Sequence, residues 1–237
     1  MSDQPRLFDD DPASPAPTSD AQLEWLRQLE TAHTDARSLA ARLPQGLHFG
    51  TSSWSFPGWA GIVYSARRTE SELAREGLRE YATHPLLTTV GIDRSYYAPI
   101  PLDDFRRYAD QLPDGFRCCI KAPSTFTSYA LSATGTPVLN QEFLSHWRLI
   151  DDLLEPCEIA FKSHTGPIVI ECPPVPRGVR LDPAEFAARL DECLTELPHD
   201  YTYAIELRDR ALLTREYAAV IARHGATHTY NYWSAMP

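Results

Sequence analysis

A chain of 237 residues with 43% hydrophobic and 23% charged positions can bury a sizeable core, as one large domain or two small ones. Its net charge of −10 argues against a broad nucleic-acid footprint, which requires a basic surface, while leaving room for a local positive pocket. No apolar run reaches membrane-spanning length and no basic-then-apolar leader opens the chain, so a cytoplasmic protein without membrane contact is expected.

Residues 1–18 are rich in Asp, Pro and Ser and read as a disordered tail. Inside it, Gln4-Pro5-Arg6-Leu7-Phe8 resembles the short peptide by which bacterial replication and repair proteins dock onto the sliding clamp. Leu7 and Phe8 would fill an apolar pocket and Gln4 would complete the motif, the tail ordering only on binding. A pattern with so few fixed positions also arises by chance. A sliding clamp is therefore a candidate partner, and with it a DNA-repair link.

Residues 19–45 read as an amphipathic helix, with Leu23, Leu26, Leu29, Ala36, Leu39, Ala40 and Leu43 at helical spacing. Ser19 or Asp20 caps its start, and Pro44 with Gly46 ends it. It is expected to pack as a lid on the main domain, residues 46–237, rather than to bind a partner.

Strands are then predicted at 47–51, 88–93, 116–121, 167–171, 201–206 and 227–231, with helices at about 69–83, 102–112, 140–154, 182–197 and 213–224. Strands separated by helices imply right-handed βαβ units and a parallel sheet. Neither a G-x-G-x-x-G fingerprint nor a P-loop follows the first strand, which weakens a nucleotide-binding open sheet and favours a (β/α) barrel.

The first strand leads into Gly50-Thr51-Ser52-Ser53-Trp54-Ser55-Phe56-Pro57-Gly58-Trp59. Glycine, proline and serine break both helix and strand, so this is a loop carrying three large aromatics. Two readings stand. Trp54 and Trp59 pack as the loop's own small core, or the rings wait above the mouth to stack on a ligand.

Parallel strands deliver their carboxyl ends to one face, where barrels keep their chemistry. Asp93 closes the second strand, Lys121 the third, Glu171 the fourth and Glu206 the fifth, with Arg208 two residues on and His228 on the sixth. Lys121 would orient an anionic group or act as a base. Glu171 and Glu206 offer an acid–base pair or oxygen ligands for a divalent ion, and Arg208 a fork for carboxylate or phosphate. The plainer alternative is a ring of salt bridges, since Glu206 and Arg208 share strand parity. His228 is more simply a satisfied core histidine. The five cysteines, without C-x-x-C spacing, fit small core residues rather than a zinc or disulfide framework.

Taken together, "GTSSWSFPGWAGIVY", "TTVGIDRSYYAP", "DGFRCCIKAP", "IVIECPPV", "YAIELRD" and "HGATHTYNYWSAMP" resemble, in order, the motifs of the YecE-like family, domain of unknown function seventy-two. The resemblance runs from about Leu47 to the end and implies a TIM-type barrel. Trp54, Tyr97, Lys121, Glu206 and Arg208 match the family's signature residues. The chain departs from the pattern where Gly91 stands for a usual Glu, Asp93 for Asn and Glu171 for Gln. Six strands stand against the eight that the resemblance implies, so a barrel shortened at its C-terminus is expected.

The expected function is that of an enzyme, hydrolase or lyase, on a small anionic ligand such as a phosphorylated sugar or nucleic-acid component. Lys121, Glu171 and Glu206 would be catalytic, and Trp54, Asp93, Tyr97, Arg208 and His228 would bind the ligand. A clamp-associated DNA-maintenance protein and a degenerate non-catalytic paralogue are the alternatives.

Overall fold

The computed structural model describes residues 19–131, 136–232 and 236. The expected tail with Gln4, Leu7 and Phe8 lies outside them. The chain divides into two compact units, one made of Met1–Leu47 with Trp54–Leu86, the other of His48–Ser53 with Leu87–Pro237.

In the first unit, α1 spans Ser19–Ala40, close to the expected helix. Its apolar stripe is only partly covered: Ala36 is buried, whereas Leu23, Leu26 and Leu39 remain exposed. Among the described residues no helix is long and apolar enough to cross a membrane. The single helix expected over 69–83 is two, α2 (Glu70–Glu76) and α3 (Leu78–Tyr81), on either side of Gly77. Thr69 starts α2 with a capping box: its hydroxyl accepts from Glu72 N–H while the Glu72 carboxylate accepts from Thr69 N–H. Leu73, Leu78 and Tyr81 are buried, as their spacing predicts.

The aromatic loop supplies the rest of this unit's core. Trp54 is 6% exposed and its indole N–H donates to the Leu73 carbonyl at 3.0 Å, while the Tyr64 hydroxyl donates to the Trp54 carbonyl. The Trp59 ring lies 6.5 Å from Tyr64 and 6.3 Å from Tyr81. Trp54 thus buries its apolar body and satisfies its one donor, which is how a core indole behaves.

The second unit is a mixed α/β fold on a five-stranded parallel sheet. β1 (Thr89–Ile92) leads through α4 (Arg94–Tyr97) and α5 (Leu102–Ala109) to β2 (Arg117–Lys121). After α6 (Ser124–Thr127), a short antiparallel pair, β3 (Ala130–Leu131) and β4 (Val138–Leu139), stands apart from the sheet. α7 (His146–Leu149) and α8 (Glu155–Ala160) precede β5 (Thr165–Cys172). α9 (Pro183–Glu196), β6 (Tyr203–Leu207), α10 (Arg215–Arg223) and β7 (Thr227–His228) follow. The strand order β1-β2-β5-β6-β7 increases steadily, without the reversal that a doubly wound sheet places at its ligand crevice.

The helix expected over 140–154 begins later and ends later. Asn140 claims its start: the side-chain amide donates to the carbonyls of Thr125 and Ser128, and its oxygen accepts from Glu142 N–H. Beyond α7 a π-helical stretch, Ile150–Leu154, carries the chain into α8. Pro156 has no N–H to continue the α-helical ladder, and a wide turn before it absorbs the mismatch.

The first expected strand, 47–51, is reduced to a bridge. Phe49 pairs with Leu87, Thr88 and Thr89 N–H donate to the Phe49 carbonyl, and Gly91 N–H donates to the Thr51 carbonyl at 2.7 Å. The backbones approach so closely that a Cβ on Gly50 would stand 2.3 Å from the Thr89 carbonyl oxygen. On Gly91 it would stand 3.0 Å from the Ser52 Cα, so any side chain there would require the Ser52 backbone to give by a few tenths of an ångström. Gly50→Ala is expected to cost about 1–3 kcal/mol by overpacking, measured by urea unfolding; an unchanged midpoint would contradict this contact.

Candidate functional site

The carboxyl ends of β1, β2, β5 and β6 gather the charged residues. Register decides which of them share a face. Glu171 pairs with Glu206, and Lys121 pairs with Val169, two residues before Glu171. Side chains two apart on a strand, and those paired across parallel strands, point the same way. Lys121, Glu171 and Glu206 therefore stand on one face, and Asp93, just past β1, joins them.

The result is one chain of ion pairs. Lys121 Nζ lies 3.2 Å from Asp93 Oδ2 and 2.7 Å from Glu171 Oε2. The same Glu171 oxygen accepts from Arg208 Nη2 at 3.0 Å, and Arg208 Nε donates to Glu206 Oε1 at 3.0 Å. Arg208 uses one fork to span two carboxylates on neighbouring strands, a geometry that lysine cannot reproduce. Glu171 and Glu206 are only 4% and 7% exposed. Buried carboxylates need such partners, because an unpaired one carries the full desolvation penalty.

Burial raises the Asp93 carboxyl above its usual range, and the opposing pull of Lys121 does not cancel it. For Lys121, burial works downward, but hydrogen bonding to Glu171 and the charges of Asp93 and Glu171 outweigh it, so the ammonium is held above its ordinary value. Arg208 is likewise raised, its burial outweighed by Glu171 and Glu206. Lys121 is therefore a fixed cation rather than a neutral base.

Tyr96 borders the cluster. Its ring centroid lies 5.8 Å from Lys121 Nζ, and burial, followed by the Glu171 charge, raises its hydroxyl pKa. Helix α4 is held in place by Ser95, whose hydroxyl lies within hydrogen-bond reach of the Ile92 and Lys121 carbonyls, at 2.9 and 2.6 Å. Tyr97, next in sequence, sets its ring 5.2 Å from Tyr96, edge to face, and is 81% exposed. The sequence presents Tyr96 and Tyr97 as an aromatic pair after the strand, and of the two only Tyr97 matches a signature residue, whereas Tyr96 is the one that borders the charges. The signal was its position, three residues past the end of a strand whose last polar residue is Asp93.

His228 turns elsewhere. It pairs with Ile205, so it shares the face opposite Glu206, and its Nδ1 lies 2.8 Å from the Tyr217 hydroxyl on α10. Desolvation lowers its pKa, offset in part by Glu206. Trp54 is committed to the core of the first unit as described above. Among the described residues no group of three or more His, Cys, Asp or Glu is placed to hold a metal ion. The divalent-ion expectation at Glu171 and Glu206 fits poorly, because the Arg208 guanidinium already spans that pair. The five cysteines are free, and all but Cys119 are buried.

A family model described as protein of unknown function DUF72 matches residues 48–232. Among solved structures, a DUF72 family protein from Enterococcus faecalis V583 is similar with a TM-score of 0.51 at 18% identity, covering 76% of this chain and 58% of that one. A DUF72 family protein from Thermotoga maritima MSB8 is similar with a TM-score of 0.50 at 18% identity, covering 76% of this chain and 64% of that one. The chain thus spans less than two thirds of the length of either. No curated protein matches it. Identity this low speaks to fold alone. The family match, however, takes in most of the chain and every residue of the ion-paired cluster: the chain belongs to the DUF72 family of proteins of unknown function.

Proposed function

We propose that the protein is an enzyme of acid–base chemistry, hydrolytic or lyase-type, acting on a small polar ligand such as a phosphorylated sugar or a nucleic-acid component. The observation that carries this reading is the unbroken line Asp93–Lys121–Glu171–Arg208–Glu206 at the carboxyl ends of adjacent parallel strands. That placement, with the steadily increasing strand order, supports a TIM-type barrel, the fold in which such ends form the active face. Buried ion pairs rarely repay their desolvation in stability, so a line of five charges is better accounted for by chemistry than by folding.

Asp93 is the proton-transfer group, its basicity increased by burial. Lys121 meets negative charge as it develops on the ligand. Glu171 and Glu206 hold the two cations in register, and Arg208 ties the two carboxylates together. Turnover on a panel of phosphoesters and glycosides, measured for the wild type, Lys121→Ala and Glu206→Gln, tests the reading. Loss of turnover by a factor of about 100 or more in Lys121→Ala is expected, and equal rates in all three proteins would remove it.

A further inference from the structure

We infer that the ligand presents a carbohydrate ring, seated with its C–H face on Tyr97, beside Tyr96, and with its hydroxyl groups directed at Asp93, Lys121 and Glu171; this rests on the functional reading above.

Three features of the site converge on that ligand. The first is Tyr97 itself. A ring left 81% exposed, on a helix whose backbone is held by the neighbouring Ser95, offers an apolar surface to a ligand. The second is continuity. Tyr97 touches Tyr96 edge to face at 5.2 Å, and the Tyr96 ring lies 5.8 Å from Lys121 Nζ, so the aromatic pair adjoins the charged line through Tyr96. A ligand filling this place must be apolar on one flat side and polar along its edge.

The third is the charge count. Three carboxylates stand against two cations, and each cation already contacts two carboxylates. A bare phosphate would have to displace a carboxylate from Lys121 or Arg208 while facing the one that remains, and like charges at such range repel strongly. Hydroxyl groups do not meet this obstacle. Each donates to a carboxylate oxygen and accepts from an ammonium or guanidinium, so a polyol joins the existing pairs without breaking them. A nucleobase matches the aromatic surface but carries few edge groups for a line this long.

Titration of the full chain with methyl hexopyranosides, hexose phosphates, adenosine and inorganic phosphate, read by calorimetry or ligand-observed NMR, tests the inference. Binding of hexosides or hexose phosphates is expected, weakened about tenfold in Tyr97→Ala, the loss of one stacked ring, and kept in Tyr97→Phe and Tyr97→Trp. Failure of every sugar to bind, equal binding to Tyr97→Ala, or tighter binding of adenosine or inorganic phosphate than of any sugar would overturn it. The two readings separate in Asp93→Asn. Tyr97-dependent sugar binding with turnover unchanged in that variant upholds the sugar surface and removes the acid–base role, turnover lost with sugar binding kept or only weakened upholds both, and sugar binding unaffected by Tyr97 overturns the sugar surface whatever the turnover.

Discussion

Glu171→Gln is expected to lower the unfolding free energy by about 3 kcal/mol, the cost of taking one partner from a buried ion pair. A single oxygen, Oε2, serves both Lys121 at 2.7 Å and Arg208 at 3.0 Å, in a residue 4% exposed. The amide has the same shape but no charge, and leaves Lys121 with Asp93 alone and Arg208 with Glu206 alone. The loss stays at the lower end of the buried-pair range because the Lys121 and Arg208 side chains remain 22% and 37% exposed, so water screens part of it. An exposed pair such as Arg75 with Glu76 provides the contrast, and Glu76→Gln is expected to cost less than about 0.5 kcal/mol. Urea unfolding of both variants checks the difference; similar small losses would mean that Glu171 is not the centre of the cluster.

The second large effect lies in the pH profile. In the proposed chemistry Asp93 accepts a proton in its ionised form, and burial places its pKa above the ordinary carboxylate range. Activity should therefore fall as pH drops through that raised value, with the acid limb of kcat/KM displaced upward from where a free aspartate would put it. Stability takes the opposite sign. A carboxyl whose folded pKa is raised favours the fold while protonated, below its unfolded value, and that contribution is lost as pH rises through the folded pKa. Ionised Asp93 thus costs stability at neutral pH. Asp93→Asn removes that cost while Lys121 keeps Glu171. At neutral pH the variant should unfold no more easily than the wild type, yet lose about 100-fold or more in kcat/KM together with the acid limb. Retained turnover, or a loss of stability in step with activity, would contradict the assignment.

Much of this arrangement is legible in the sequence, and the exceptions have physical causes. Apolar runs closing on Asp93, Lys121, Glu171 and Glu206 mark strand ends, and the parity of Glu206 with Arg208 anticipates their pairing. That Arg208 also reaches Glu171 depends on the register of β5 with β6, which no local pattern encodes. The direction of His228 is hidden for the same reason: its strand is recognisable, but only its pairing with Ile205 tells that it faces Tyr217 on α10. The residues between 140 and 145 carry helical spacing, yet the three hydrogen bonds of Asn140 hold them in a turn. Strands β3 and β4 are two residues each, too short to leave a period. Trp54 and Trp59 read equally well as packing or waiting rings, because composition sets the aromatic content of a loop and not its direction.

An ion-paired line that performs chemistry differs measurably from one that braces the sheet. Turnover and unfolding free energy of Lys121→Ala, measured on the same preparation beside the wild type, separate the two most directly. The expected variant still folds, somewhat less stably for leaving Glu171 and Asp93 short of a cation, and its turnover on the active substrate of the panel is all but abolished. A variant that turns that substrate over at the wild-type rate, with only its stability reduced, would show the line to be a brace.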